Sequence, residues 1–345
     1  MLLVEPARET ERWVLRKLPR GQHRVELGRE GETPFPTPGS LVPHGEPAAT
    51  ERMETHARSY RPALVALAAL SLIWGYNWVV MKVAVQYAPP FAFAAVRTVL
   101  GALLLLGVTI ALRRPLRPRK PWHLLGLGLF QTTGFIGLAT WAVVASGAGQ
   151  VAVLAYTMPF WVALLAWPLL GERLRAAQGF AVALAMAGIL CILDIGQLHG
   201  TLLSDALGVG CGASWAIGVV IAKHMQRSDP LDLLALTTWQ MLIGGAALAV
   251  VALLVPGGAT HWTPAYVGAL VYNVVLATAL AYVLWLFVVE RLPAREAAMG
   301  TLVNPLVGIV AAWIQLGERP TLLEGGGMLL VVGGLAVLAL SKRAP

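Results

Sequence analysis

The sequence predicts an all-α integral membrane protein of ten transmembrane helices, arranged as two inverted five-helix repeats. Three observations lead there. The first is composition: 57% of the 345 residues are hydrophobic and 13% are charged, against roughly 25% charged in soluble domains. Between a few charge clusters run apolar segments of about 20 residues, enough to cross a bilayer core of ~30 Å. Such segments read as helices, because lipid offers no partner to backbone amides and carbonyls. The second is duplication. Trp74, Lys82 and Pro89 recur as Trp215, Lys223 and Pro230, 141 residues later, and Pro159 with Gly171-Glu172 recurs as Pro305 with Gly317-Glu318, 146 residues later. The third is the distribution of Lys and Arg over the loops.

The elements follow in order. Span 1 (63–83) ends at Lys82, before Pro89-Pro90. Span 2 (91–111) stops at the basic loop from Arg113 to Lys120, and span 3 (122–143) follows it. Span 4 (149–169) closes on Gly171-Glu172-Arg173, and span 5 (174–194) on Asp194. Span 6 (203–223) ends at Lys223, and span 7 (232–254) opens at Asp232. Span 8 (264–287) precedes Glu290-Arg291, span 9 (294–316) closes on Gly317-Glu318-Arg319, and span 10 (321–341) on Lys342-Arg343. Loops are short and no soluble domain is inserted.

With the N-terminus placed in the cytoplasm, 15 Lys/Arg of the loops and segment ends fall inside, and only Lys82 and Arg319 fall outside. Positive residues favour the cytoplasmic side, so both termini are expected there. Five spans per repeat is an odd number. The second repeat therefore enters the membrane upside down, which puts Lys82 and Lys223 at opposite faces, and Glu172 and Glu318 likewise.

The organisation expected is an N-terminal extension (1–61), a first repeat (62–199) and a second repeat (200–345). Residues 1–52 carry eight Lys/Arg and eight Glu, with Pro34, Pro36, Pro38 and Pro43. That composition favours disorder, and no apolar h-region marks a signal peptide. Met53 is a candidate true start, the alternative being a genuine cytoplasmic tail. The neutral extension also argues against nucleic acid as the reason for the net charge of +8.

Trp74-Gly75-Tyr76-Asn77-Trp78 with Lys82, Pro89-Pro90, Arg97, Ser214-Trp215 with Lys223, Thr238-Trp239-Gln240, Asn304-Pro305 and the two Gly-Glu-Arg runs carry a family likeness. In their order and spacing the chain resembles the ten-helix EamA-type carriers of the drug/metabolite transporter superfamily, over about residues 62–341. The resemblance implies a basket of ten helices around a central cavity in a bacterial-type inner membrane. It also implies passage of small metabolites, often amino acids, usually outward.

Arg97 is the sharpest single residue. It lies about seven residues into span 2, so ~10 Å deep at 1.5 Å per residue. Burying it costs ~2.5–3.5 kcal/mol on insertion scales. Two readings stay open: a cavity cation for an anionic group, or a structural Arg bonded to carbonyls at a helix break. The second repeat has Gln240 at the matching place, so any site is asymmetric. Pro159 and Pro305, mid-span, free the carbonyls of Ala155 and Thr301 and are read as kinks with a share in gating. Tyr156 and Asn304 flank them. Asn77, Trp78, Trp215 and Trp239 adjoin the repeated motifs and complete the candidate substrate contacts. Lys82 and Lys223 read as snorkelling to the interface, and Glu172 and Glu318 as helix caps, with gating the alternative.

A duplicated membrane unit with a midplane site points to a secondary transporter working by alternating access. No span carries Asp or Glu near its centre, which speaks against an exporter of organic cations. Cys191 and Cys211 lie in apolar segments, so neither a disulfide framework, a metal site nor any cofactor is expected, and no nucleotide-binding or hydrolase motif is found. Partners expected are a small-molecule substrate and membrane lipid. A homodimer is left open by Gly208-x-x-x-Gly212. Two other classes remain: an enzyme acting on lipid-linked substrate, which needs paired acid/base residues at one face, and a receptor or scaffold. Flux in sealed vesicles separates them.

Overall fold

The structure is a computed structural model. It describes residues 13–15, 27–29, 49–118, 120–170, 176–193, 202–228, 232–255, 257–292, 300 and 303–341. The chain divides into two units, Val4–Ser59 and Tyr60–Pro345 with Met1–Leu3. In the smaller unit, Trp13–Leu15 (β1) pairs antiparallel with Leu27–Arg29 (β2), Trp13 opposite Arg29. Composition gave no sign of this ladder, but Trp-Val-Leu is a strong strand former.

The larger unit consists of helices and short loops, with no strand among its described residues. Its apolar helices are α1 Arg61–Ala84, α2 Pro90–Ala111, α3 Pro121–Ala145, α4 Ala148–Leu169, α5 Ala176–Ile192, α6 Leu202–Gln226, α7 Leu233–Leu254, α8 Pro264–Arg291, α9 Val303–Leu316 and α10 Leu322–Leu340. Each expected span has its helix. Eight are long and apolar enough to cross a membrane, and α5 and α9 are shorter. Most of the expected start of span 9 lies outside the described residues, as does Glu172. Large apolar side chains such as Val65, Leu103, Leu253, Ile314 and Leu329 remain exposed on the helices, as a lipid-facing surface requires.

The duplication governs the packing. Matching helices of the two repeats meet: α2 with α7, α4 with α9 and α5 with α10. The Thr109 and Thr238 hydroxyls lie 2.7 Å apart between α2 and α7. Gly188 of α5 and Gly327 of α10 approach so closely that a methyl on either would sit 2.6 Å from the other's carbonyl oxygen. Small residues let backbones close up where lipid supplies no hydrophobic drive. Gly208 and Gly212 serve the same end inside the bundle, against Leu154 and the Ala155 carbonyl of α4.

Three helices are irregular. α3 contains a π-helical stretch over Gly128–Gly134, and α8 one over Tyr272–Leu280. These are the third helices of the two repeats, and the sequence pattern predicted plain spans. The third irregularity is the break in α4, at Tyr156-Thr157. Pro159 cannot donate to Ala155, and that carbonyl is turned against α6, where a methyl on Gly212 would lie 2.9 Å from it. Thr157 Oγ1 donates to the Leu154 carbonyl at 2.6 Å. The break is thus sealed by protein. Pro305 is a buried residue of α9, and most of the chain just before it, including Thr301, lies outside the described residues.

Candidate functional site

A cavity of about 190 Å³ lies between the repeats. Its walls come from α1 (Trp74, Asn77, Trp78), α3 (Gln131, Thr132, Phe135), α4 (Tyr156, Pro159), α6 (Trp215), α7 (Thr237, Gln240), α8 (Thr278, Tyr282, Trp285), α9 (Asn304) and α2 (Arg97). The irregular helices place several of these. The break at Tyr156 frees its ring to turn inward, where its hydroxyl accepts from Asn304 Nδ2 at 2.7 Å. That bond joins α4 to α9 across the matching prolines. The wider π turns of α3 and α8 direct Gln131, Thr132 and Thr278 to the same space, in keeping with the frequent siting of π-bulges at functional places.

Aromatic rings supply much of the wall. Trp74 stands edge-on to Tyr282 with centroids 6.1 Å apart, and its Nε1 donates to the Ala277 carbonyl at 3.1 Å. Phe135 and Trp215 meet at 4.8 Å, and Trp78 and Tyr156 at 6.5 Å. Such rings give a ligand an apolar surface at little cost in rotamer freedom.

Arg97 is 7% exposed. Among the described residues it forms no hydrogen bond or ion pair, and its Nε is without a partner. The guanidinium carbon sits 5.9 Å from the centroid of the Phe93 ring. Among the described residues no carbonyl accepts from Arg97, so the reading of a structural Arg held by carbonyls finds no support there. No Asp or Glu among the described residues lines the cavity either. A buried, unpaired cation is costly by several kcal/mol, so the cavity carries a standing demand for negative charge.

The structure thus brings Arg97, Asn77, Trp78, Tyr156, Trp215, Gln240, Asn304 and Pro159 together on one cavity wall. Trp239 is not there. It belongs to a cluster with Leu124, Ile221 and Leu236, and its Nε1 donates to the Leu116 carbonyl at 2.9 Å. Its neighbour Gln240 faces inward because adjacent helical residues point about 100° apart. Pro305 is buried behind Asn304 and does not line the cavity. Sequence reasoning missed Gln131, Thr132, Thr237 and Thr278; a polar residue inside an apolar span was the available signal.

Two further residues make contacts the sequence did not foresee. Lys82 Nζ donates to the carbonyls of Ser146 at 2.9 Å and Val144 at 3.3 Å, at the end of α3. Glu318 caps a helix, though a distant one. Its two oxygens accept from the amides of Ala148 (2.7 Å) and Gly149 (3.1 Å), the first turn of α4. Gly317, at φ +66°, turns the chain after α9 and makes this reach feasible.

Duplicated helix repeats around a largely apolar chamber, with one unpaired cation among its described lining residues, define a multi-pass membrane carrier. The chain belongs to the EamA-like transporter family, which it matches over residues 61–194 and again over 202–340. The Bacillus subtilis transporter YvbV is 31% identical over 288 residues, covering 82% of this chain and 93% of that one. A probable amino-acid metabolite efflux pump of Escherichia coli is 29% identical over 284 residues, covering 79% and 93%. A solved crystal structure with 19% identity superposes with a TM-score of 0.57, covering 82% of this chain and 97% of that one, and shares the fold.

Proposed function

We propose that this protein exports small metabolites bearing a carboxylate or other anionic group across a bacterial-type inner membrane, by alternating access between its two inverted repeats. The unpaired Arg97 guanidinium carries this reading. A cavity with a buried cation and no acid among its described lining residues selects for an anion and repels cations. The planar fork of Arg suits a carboxylate, and the rings of Trp74, Trp78, Phe135 and Tyr282 suit an apolar body attached to it. Efflux pumps named for amino-acid metabolites among the relatives support the same class. The Lys/Arg distribution supports cytoplasmic termini, so the face where α1 ends would be external. The chemistry is binding and release, with no enzymatic step.

The test is flux in sealed vesicles containing the purified full chain. A panel of labelled amino and organic acids is compared with their decarboxylated or amidated counterparts. Carboxylates are expected to move and the counterparts to be left behind. Movement of the amines alone would overturn the reading.

A further inference from the structure

One end of the cavity is shut twice. Beyond Met81 and Ala139, both on the cavity wall, Val143, Ala148, Val151, Ala152 and Ala312 pack into one continuous apolar layer. Outside that layer, polar contacts tie five helices. Lys82 of α1 holds the end of α3 by two carbonyls, and Glu318 after α9 holds the start of α4 by two amides. In the intervening turn Ser146 Oγ bonds Asp205 of α6, which also accepts from Gln150 Nε2 at 3.0 Å. Tyr76 donates to Gln315 Oε1 at 2.6 Å between α1 and α9. Cation and anion each sit at the helix end whose partial charge they oppose. The other end differs. There, among the described residues, the apolar packing forms two separate clusters, Ala63, Ala66 and Leu67 with Val288 and Leu292, and Leu124 and Leu127 with Ala222, Met225 and Leu236. The cavity wall runs out between them to Leu233 and Leu286.

We infer that Lys82 and Glu318 are gate residues: together they clasp the α3–α4 turn and hold the mouth at the end of α1 closed, and transport requires their release. The inference rests on the reading of the chain as an alternating-access carrier. It also gives the sequence duplication a purpose. A Lys at the end of the first helix and a Gly-Glu after the fourth recur in both repeats, and the inverted repeats send one Lys and one Glu to each face. Each mouth then has the residue types for a clasp of its own.

The experiment needs no substrate, so its failure is distinct from failure of the proposed function. Cys191 and Cys211 are replaced by Ala, and single cysteines are introduced as Ala139→Cys or Leu286→Cys. An impermeant thiosulfonate is applied separately to each side of sealed vesicles. Glu318→Gln and Lys82→Gln are each expected to raise the labelling rate of the Ala139→Cys protein from the α1-end face by about tenfold. Both should lower labelling of the Leu286→Cys protein from the opposite face. Faster labelling at both positions would show general loosening and overturn the proposal. Unchanged rates in whichever variant accumulates in the membrane would overturn it too.

Discussion

Replacing Gly244 by Ala tests the packing that forms the cavity. Gly244 of α7 faces the π stretch of α3. A methyl there would lie 2.5 Å from Thr132 Cγ2 and 2.7 Å from the Gly128 carbonyl oxygen. Thr132 is buried and β-branched, so it cannot swing away, and the carbonyl belongs to backbone. Overpacking of this kind costs about 1–3 kcal/mol, set against a gain of about 0.8–1 kcal/mol from Gly→Ala in a helix. Gly107 has open space around its built methyl, so Gly107→Ala should show the gain alone. The two variants should therefore differ by roughly 1–3 kcal/mol, the overpacking term alone. Gly101→Ala, the matching position in the first repeat, should fall between them. Its nearest atoms are 2.7 Å or more away and all belong to the side chain of Thr278. The assay is the thermal midpoint of the purified protein, followed by recovery of monodisperse material on size exclusion. A Gly244→Ala protein as stable as Gly107→Ala would refute the account of the α3–α7 contact.

Gly317→Ala should lower stability by about 1–2 kcal/mol, since Gly317 holds φ +66°, and the same melting assay reports it. For topology, a cysteine at Gly258, exposed and with open space around it, should be labelled by an impermeant reagent from outside the cell. One at Pro118 should be labelled only from inside; efficient outside labelling at Pro118 reverses the orientation. A chain beginning at Met53 is expected to insert and transport like the full chain, because residues 1–52 lack apolar periodicity; loss of either shows that the extension has a structural role.

The span pattern and the duplication were legible because lipid imposes them on composition directly. Asn77, Trp78, Trp215 and Arg97 were legible as cavity candidates because a polar or bulky residue in an apolar span, next to a repeated motif, needs a reason. Trp239 shows the limit of that logic. It shares its motif with Gln240 and points elsewhere, and no local signal says which of two neighbours faces in. The walls of α3 and α8 were hidden for another reason. Their π stretches, which the span pattern did not foretell, set which of their polar residues face the cavity. The roles of Lys82 and Glu318 were hidden by distance: Glu318 reaches amides 169 and 170 residues back in the chain. The lack of a hydrogen bond to Arg97 among the described residues could be seen only in the structure.

Arg97 is where the account is most exposed, and one measurement tests it. Flux of a transported carboxylate and the amount of protein in the membrane are determined on the same vesicles for Arg97→Gln and Arg97→Lys. The account predicts normal accumulation of both variants. It predicts flux reduced at least tenfold for Arg97→Gln, about 1.4 kcal/mol, and a smaller loss for Arg97→Lys, whose ammonium keeps the charge without the fork. Undiminished carboxylate flux in Arg97→Gln, with normal membrane levels, would contradict it.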